Sequence, residues 1–462
     1  MPRLITLLLI IWGLLVIRIG APWFSVQESP RVWVPASVRD YHVYGLAETG
    51  GMVFRHTAPV KPENFHYYTH HPPLIIWLPY VLSLVMGDNE LAVRFGFSAV
   101  TLLSAVAFYV LVRRLYGEKV AWWSTAFYGL VPMVAYYGRV PGHDQLGLLA
   151  ILLFGAVMIN WLRHPTKARL IALCLLTWMA VWTAWTAVFF VAALGLAAMW
   201  LGSRQHQAAV IGLGVLSIIA FAVMMLFYQS QWDGAIDSLL DAFGWRASNA
   251  SDDPGTEPFT LIGFVWRTLV HIGVFITPGV SVLAVWGIFT QWRRGTHGTH
   301  FANVIVLALL VGSLGYQLVF RNASYVHDYY KLTFVPAMAI SAGVAWVYAR
   351  KQSRIIRPIF DSMLLISIGV SMGLLFWLHS TGTRPELEAA IALVAAETTP
   401  DDIIMTSLKG KDIMMPLRFY AAREIAEDTL LENARRTAES TEQRVVYLDC
   451  PEWDCELVII QP

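Results

Sequence analysis

Charged side chains are scarce in this sequence: Asp, Glu, Lys and Arg make up 14% of the 462 residues, against about 25% in an average soluble domain. The deficit is concentrated in stretches of roughly twenty residues, the length that an apolar helix needs to cross about 30 Å of hydrocarbon. The scarcity of charge therefore excludes an ordinary soluble protein and predicts an integral membrane protein.

Cysteine, net charge and internal repetition are lacking as well. Three Cys residues are too few for a disulfide framework. The formal net charge of +1 gives no reason to expect a nucleic acid partner. No internal repeat is evident, so the inverted repeats of many transporters are not supported. Aromatic residues are plentiful instead, and the 19 Trp and 18 Tyr are of the kind that collects at membrane interfaces.

The apolar stretches predict an all-α polytopic membrane bundle of about 11 transmembrane helices. The predicted spans are 4–20, 92–112, 120–137, 145–162, 169–184, 186–202, 208–228, 268–290, 302–320, 332–349 and 359–379. The fifth and sixth could instead form one long helix. The first apolar run is interpreted as an uncleaved span, because no clean small-residue cleavage site follows it.

Basic residues predict the orientation of the bundle. They lie close to span ends in alternate connections, at Arg113, Arg114, Lys119, Arg163, Lys167, Arg169, Arg204, Arg293, Arg294, Arg350, Lys351, Arg354 and Arg357. Basic residues accumulate in cytoplasmic loops. This pattern predicts a cytoplasmic N-terminus, and an odd number of spans then places the C-terminus on the periplasmic or extracellular side.

Two segments outside the bundle have a different composition. The transmembrane domain, 1–380, includes a first extracytoplasmic loop, 21–91, with an apolar stretch at 72–86 that predicts a re-entrant or interfacial helix. Short apolar strands then alternate with helical stretches, which predicts a small extracytoplasmic α/β domain over 381–462 with helices at 385–397 and 422–440. Cys450 and Cys455 lie in this domain, and their spacing leaves a disulfide open.

Ionisable and aromatic groups gather at the predicted outer ends of several spans. They are Asp40, His42, Tyr44, Glu48, His70 and His71 in the first loop, Arg139, His143 and Asp144 before span four, and Arg321, His327, Tyr330 and Lys331 before span ten. A bundle could bring these groups together. A carboxylate at membrane depth is costly unless it has a partner or a function.

Each of these groups also has a structural explanation. Asp144 could be the N-cap of span four, and Asp40 could cap an amphipathic helix over 41–49. Tyr and Lys residues at an interface can be anchors. The functional alternative is that a carboxylate acts as a general base, Arg and Lys hold a phosphate, and His with a carboxylate binds a divalent metal.

Several motifs occur in an order that matches a known family. The first loop has Asp40, Tyr44, Ala47 and Gly50, followed by His71-Pro72-Pro73-Leu74. The later motifs are 87–94, 113–117, 139–144, 327–332 and 419–423. In this respect the chain resembles the membrane glycosyltransferases of the C-type fold, in particular bacterial relatives of protein O-mannosyltransferases and of the lipid A aminoarabinose transferase.

The resemblance implies sugar transfer from a polyprenyl-phosphate donor to an extracytoplasmic glycan, lipid or protein acceptor in a bacterial inner membrane. Asp40 would activate the acceptor and Asp144 would orient a metal or the acceptor. The substrate-binding residues would be His42, Tyr44, His70, His71, Arg139, Arg321, Tyr330 and Lys331. No organic cofactor is implied, and a divalent metal (Mg, Mn or Zn) at His143 and His327 stays open.

Two features depart from the family pattern. Many relatives have two adjacent acids in the first loop, whereas Tyr41 follows Asp40 here, which leaves open whether His42 or Glu48 completes the site. No Lys follows span five, so phosphate binding would depend on Arg139, Arg321 and Lys331. The alternative function is a transporter or flippase for a lipid-linked substrate.

Overall fold

A computed structural model describes residues 2–249, 259–293, 297–350, 356–428, 430–441 and 443–461. The chain forms two compact units. The helical unit comprises Met1–Ile17, Thr69–Ile75 and Phe95–Leu375, and the loop–tail unit comprises Arg18–Tyr68, Ile76–Arg94 and Phe376–Pro462. Most of the predicted first loop and the C-terminal tail, which are distant in sequence, therefore belong to one unit. The predicted domain boundary at residue 380 stays a prediction.

Helices make up most of both units. The first ten are α1 (Pro2–Leu15), α2 (Trp33–Thr49), α3 (Leu74–Met86), α4 (Glu90–Tyr116), α5 (Glu118–Leu130), α6 (Pro132–Ala135), α7 (His143–Arg163), α8 (Lys167–Thr183), α9 (Trp185–Leu201) and α10 (Arg204–Gln231). The remaining helices are α11 (Ala235–Ala247), α12 (Leu261–Phe275), α13 (Pro278–Arg293), α14 (His297–Val319), α15 (Arg321–Val326), α16 (Val335–Ala349), α17 (Ile356–Ser380), α18 (Pro385–Glu397), α19 (Lys411–Ala421) and α20 (Leu431–Thr441).

Long apolar helices confirm the membrane class. Within the described residues, six helices are long and apolar enough to cross a membrane, or up to seven if a bent pair counts as one span. Helices α1, α3 and α9 are apolar but shorter. The predicted total of eleven spans is therefore not confirmed.

The predicted span 268–290 is not a straight helix. Helices α12 and α13 meet at an angle of 110°, with Thr277 between them at φ +70°. Pro278 accounts for the break, because proline cannot donate a helical hydrogen bond and disfavours the helical conformation of the residue before it. A second break, at Ala184, separates α8 from α9 and confirms two helices where one long helix was the alternative.

The first loop is helical at both predicted positions, although one boundary differs. Helix α3 (Leu74–Met86) confirms the helix predicted at 72–86. Asp40 does not cap a helix over 41–49, because α2 begins at Trp33 and holds Asp40 in its interior. Gly45 kinks this helix at φ +79°, a conformation that glycine adopts without steric cost.

The tail contains a mixed four-stranded sheet, which confirms the small C-terminal α/β prediction. The strands are β1 (Ile403–Thr406), β2 (Ile425–Glu427), β3 (Val445–Asp449) and β4 (Glu456–Ile460). Their order is β2-β1-β3-β4, and only β4 is antiparallel to its neighbour. Successive strand residues face opposite sides. Ile404 packs with α18 and α19, whereas Met405 packs with α20.

One helix of the tail was predicted too long. Of the predicted helix 422–440, only α20 is helical, because Ala422 ends α19 in a left-handed conformation and Ile425–Glu427 form strand β2. Three residues are too few to carry a strand signal in sequence. Cys450 and Cys455 form a disulfide.

A buried guanidinium holds the start of the loop–tail unit together. Arg94, in the first turn of α4, pairs with Glu28 at 3.0 Å, and both side chains are fully buried. The same guanidinium donates to the carbonyls of Ile19, Ala21 and Pro22 and lies 3.8 Å from the ring centre of a neighbouring Trp. One side chain thus ties residues 19–28 to α4.

Tyr420 connects the tail to the same region. Its hydroxyl donates to the Glu90 carboxylate at 2.6 Å and accepts from the Trp23 backbone N–H at 2.9 Å. Arg39 adds a second connection by donating to the Phe419 carbonyl at 3.2 Å. These hydrogen bonds explain why the first loop and the tail form one unit.

We expect Glu28→Gln to lower the free energy of unfolding by about 3–5 kcal/mol, because it leaves the buried Arg94 charge without its carboxylate. Denaturation of the purified protein in detergent measures the change. Asp361→Asn is the control, since it breaks a 3.1 Å ion pair with Arg350 that is about half exposed and should cost at most about 1 kcal/mol. Equal losses in the two variants would contradict the role of Arg94.

Candidate active site

Asp40 is a buried carboxylate with a histidine partner. Asp40 is 1% exposed, and its Oδ2 lies 2.8 Å from Nε2 of His56. A buried carboxylate without such a partner would be costly. The pair lies entirely within the loop–tail unit.

A short hairpin sets the tautomer of His56. Phe54 and Tyr67 form an antiparallel bridge, and the backbone N–H of His66 donates to Nδ1 of His56 at 3.4 Å. Nδ1 is then an acceptor, so the proton of the neutral ring is on Nε2, where it is donated to Asp40. The rings of Phe54 and Phe65 stack on the imidazole, with centroids 5.2 and 5.7 Å away. The arrangement holds the His56 ring in one orientation, with Nε2 directed at the Asp40 carboxylate.

Other side chains of α2 surround Asp40. Burial lowers the pKa of the Arg39 guanidinium, and the neighbouring Asp40 charge opposes that shift. Burial raises the pKa of Tyr41, whose hydroxyl donates to the Met52 carbonyl. Tyr44 donates to a backbone carbonyl and is close enough to Asp40 for their charges to interact. His42 contacts the hydroxyl of a serine on α3 at 2.7 Å and has no contact with Asp40 that the structure records.

Asp144 belongs to a separate cluster within the helical unit. It lies in the first turn of α7, where the helix dipole favours a carboxylate. The N-cap is Gly142, so the alternative in which Asp144 caps the helix does not hold. Nε2 of His143 lies 3.3 Å from Oδ1 of Asp144. The imidazole of His71 stacks on that of His143 with 4.0 Å between ring centroids. All three residues are buried.

Backbone hydrogen bonds fix the segment that carries His71. The carbonyl of His70 accepts from the Trp185 indole at 2.9 Å, and the carbonyl of His71 accepts from the Tyr228 hydroxyl. Thr69 donates to the carbonyl of Ala235. Three helices, α9, α10 and α11, therefore hold residues 69–71 in place beside α7.

A tyrosine pair and an arginine complete this cluster. The rings of Tyr316 and Tyr330 stack at 5.2 Å, and the hydroxyl of Tyr330 hydrogen-bonds to Tyr316 and to the guanidinium of Arg246. Asp144 lies near enough to both tyrosines for its charge to act on them. Asp144, Tyr330 and Arg246 thus form a buried group of polar side chains at one end of α7, α11 and α14.

The remaining predicted cations have backbone or amide partners. Arg139 donates to the carbonyl of Ile17, and Lys331 to that of Ser324. Arg321 donates to the side chain of Asn249. Because Arg139 and Lys331 are almost fully buried, these contacts give them a packing role, and phosphate binding by the three cations stays a prediction.

The described residues include no group of three or more His, Cys, Asp or Glu side chains that could hold a metal. His143 pairs with Asp144, whereas the ring of His327 stacks on Tyr329 at 5.1 Å. Two donors are fewer than the three protein ligands of a usual catalytic zinc site. The Asp144 carboxylate alone would suit Mg²⁺, which is often held by one carboxylate together with substrate phosphates.

Sequence reasoning missed His56 and Arg246. His56 stands in Phe54-Arg55-His56-Thr57, a segment without a motif, and only the hairpin brings it to Asp40. Arg246 lies in the last turn of α11, outside every motif that the sequence offered. A basic residue in the last turn of a helix is an ordinary partner of the helix dipole, so its position carried no signal of a site.

Comparisons with known proteins agree on the fold. Residues 70–240 match the model of the dolichyl-phosphate-mannose-protein mannosyltransferase family. No curated protein matches the chain in sequence. The crystal structure of ArnT from Cupriavidus metallidurans bound to undecaprenyl phosphate is 14% identical, with a TM-score of 0.64 over 98% of this chain and 97% of that one.

An archaeal structure is similar as well. The oligosaccharyltransferase AglB from Archaeoglobus fulgidus, in complex with an inhibitory peptide and a dolichol-phosphate, is 10% identical with a TM-score of 0.61, over 96% of this chain and 69% of that one. A structure of the same oligosaccharyltransferase with Zn and sulfate is 11% identical with a TM-score of 0.57. The fold implied by the resemblance noted in the sequence is confirmed: the chain has the C-type glycosyltransferase fold of these solved structures, and its residues 70–240 are similar to the protein mannosyltransferase family.

Proposed function

We propose that the chain is an integral-membrane glycosyltransferase that moves a sugar from a polyprenyl-phosphate donor to an acceptor outside the cytoplasm. The observation that carries the proposal is the buried Asp40 carboxylate, held in one orientation by the Nε2 of His56 at 2.8 Å. The family match over 70–240 supports the reaction class. Solved relatives bound to undecaprenyl phosphate and dolichol-phosphate support the class of donor.

Asp40 acts as the general base. A hydroxyl or amine of the acceptor attacks the anomeric carbon of the donor sugar and gives its proton to the Asp40 carboxylate. The bond between that carbon and the phosphate oxygen breaks, and its electron pair leaves with the polyprenyl phosphate. Attack from the face opposite the leaving group inverts the anomeric configuration.

Within the helical unit, considered by itself, Arg246 and Tyr330 form a candidate site for the phosphate of a polyprenyl-phosphate lipid. A guanidinium binds phosphate through two parallel N–H donors, and the Tyr330 hydroxyl supplies a further donor once phosphate takes over its contact with Arg246. Burial of Arg246 strengthens this interaction, because the charges act in a medium of low dielectric constant. Stabilising the charge that develops on the phosphate lowers the barrier to its departure.

The pair His143–Asp144 lies in the same cluster and would orient a phosphate bound at Arg246 and Tyr330. Stacking on His71 holds the His143 ring, so its Nε2 remains directed at Asp144. If a divalent cation binds, Asp144 is its carboxylate ligand, and the cation neutralises phosphate charge. Activity assays with EDTA and with added Mg²⁺, Mn²⁺ or Zn²⁺ decide whether a metal is required.

An assay with a panel of donors and acceptors identifies the sugar and the acceptor. Purified protein in bilayers is given radiolabelled polyprenyl-phosphate sugars, both hexosyl and pentosyl, with glycan, lipid or peptide acceptors. Release of free polyprenyl phosphate together with labelled acceptor supports the transferase. Movement of donor across the bilayer without release would instead favour the flippase.

We expect Asp40→Asn to lower kcat by about 10²–10⁴-fold, because it removes the general base. Donor binding should persist, since the amide of Asn has the size and shape of the carboxylate that it replaces. Turnover of the donor that wild type uses is the measurement. Glu63→Gln is the matched control, since Glu63 is an exposed carboxylate of the same unit. Full activity in Asp40→Asn would place the base elsewhere, with Asp144 the next candidate.

Two substitutions of His56 distinguish its hydrogen bond to Asp40 from its other effects on activity. His56→Leu removes the donor to Asp40, and we expect kcat to fall about 10–100-fold, as is typical when a supporting hydrogen bond is lost, while KM for the donor stays constant. His56→Gln keeps an N–H group near the position of Nε2 and should recover part of the activity. Equal kcat values for the Gln and Leu variants would show that the hydrogen bond is not what matters.

We expect Arg246→Gln to weaken binding of polyprenyl phosphate about 10–100-fold, since a hydrogen bond to a charged group contributes about 1.5–3 kcal/mol. Equilibrium binding of the product lipid measures the change without turnover. Arg321→Gln is the control, because Arg321 has an amide partner and is more exposed. A larger loss in the control would move the phosphate to the predicted Arg321 site.

A further inference from the structure

A largely apolar cavity of about 400 Å³ lies inside the helical unit, among α1, α5, α13 and α17. This volume falls within the range of about 300–1,000 Å³ typical of small-molecule sites. Side chains at helical spacing line it from each wall, for example Leu7 and Leu14 of α1 and Leu364, Ile368 and Leu375 of α17. Apolar walls of this kind suit a hydrocarbon chain.

Small side chains create the space. Ala126 of α5 and Ser367 and Ser371 of α17 line the cavity and are buried. A leucine at any of these positions would occupy part of it. Because these residues are small, the helices leave an apolar groove between them that is wide enough for a hydrocarbon chain.

One end of the cavity is marked by an exposed cation. Arg3, in the first turn of α1, lines this end, and its carbonyl accepts from the indole of Trp122 at 3.2 Å. Tryptophan with a basic residue is the combination found where a membrane meets water. The opposite wall of the cavity is apolar up to Leu375.

Further cations lie beside the same end. The guanidinium of Arg350 lies 5.9 Å from the ring of Trp123, which lines the cavity, and Arg357 donates to the Arg350 carbonyl at 2.9 Å. Asp361 pairs with Arg350. Among the described residues named here, the guanidinium groups of Arg3, Arg350 and Arg357 outnumber the carboxylate of Asp361, so this group of side chains favours an anion.

This entrance is distant from the residues assigned to the donor. The carbonyl of Ile17, beyond the end of α1, accepts from Arg139, which shortly precedes Asp144 in the sequence. Arg3 is at the other end of the same helix, about 20 Å away at 1.5 Å per residue. A donor with its phosphate at Arg246 and Tyr330 would not bring that phosphate to Arg3.

We propose that this cavity holds one acyl chain of an anionic glycerophospholipid whose phosphate lies at Arg3 and Arg350. Burial of the acyl chain in the cavity removes its apolar surface from water. Basic pockets between transmembrane helices bind anionic head groups. The lipid fills the gap between α1 and α17 and stabilises their packing. The inference is independent of the sugar transfer.

Titration of the delipidated protein in detergent tests it. Phosphatidylglycerol and phosphatidylcholine with identical acyl chains are compared through melting temperature and native mass spectrometry. We expect tighter binding of phosphatidylglycerol to wild type. Arg3→Gln should weaken that binding about fivefold, as expected for one basic residue near an anionic lipid, and should weaken phosphatidylcholine binding less, because the choline cation cancels the charge of its phosphate. Arg204→Gln, an exposed arginine at the start of α10, is the matched control.

A second pair of variants tests the cavity itself. Ser371→Leu fills it and should abolish the response to both lipids. Gly369→Leu on the same helix is the control, because no atom lies within 4 Å of its added Cβ, and it should respond like wild type. Equal affinity for the two phospholipids, an unchanged response in Ser371→Leu, or a stronger response to polyprenyl phosphate would overturn the proposal.

Discussion

A charge that leaves water needs partners, and the buried guanidinium of Arg94 meets that requirement for the loop–tail unit. Its carboxylate partner, Glu28, and its carbonyl partners, Ile19 to Pro22, come from the start of the first loop. Removing one member leaves the other charged and buried, which costs more than the pair contributes. The pair therefore acts as a constraint on where the loop runs, and the helix that carries Asp40 follows directly from it.

The same requirement organises the two clusters of polar residues. Asp40 is buried because His56 donates to it, and His56 can donate only because the hairpin supplies an N–H group to its other nitrogen. In the helical unit, Asp144 has His143 beside it and interacts with two tyrosines, one of which contacts Arg246. In each case rigid neighbours hold a carboxylate in one orientation, as a general base or a phosphate site requires.

Burial explains why both clusters need such support, and for Asp144 the surrounding helices are also apolar. Side chains in a bundle of apolar helices have few polar neighbours, so each ionisable group depends on those few. The breaks in the helices place backbone carbonyls and side chains where they are needed. The break at Ala184 lies against α7, since a Cβ at Gly147 would come within 2.7 Å of Ala184. Irregular backbone of this kind is tolerated in a membrane where it is enclosed by protein.

The sequence by itself determined the class of the protein. Apolar stretches, basic residues at span ends and the order of motifs predicted a helical membrane bundle with the C-type fold, and strand periodicity predicted the sheet of the tail. Each of these features is local: the residues that define one helix or one strand lie close together in the sequence. Helix α18 begins and ends where predicted for the same reason.

The tertiary structure alone decided the partners. His56 reaches Asp40 across sixteen residues, and Tyr330 reaches Arg246 from a different helix. Neither contact leaves a periodic signal, because it depends on how distant segments pack. The bend at Pro278, the disulfide and the four-walled cavity are of the same kind. Local sequence encodes where a helix runs, whereas the environment of a side chain is set by what the fold brings beside it.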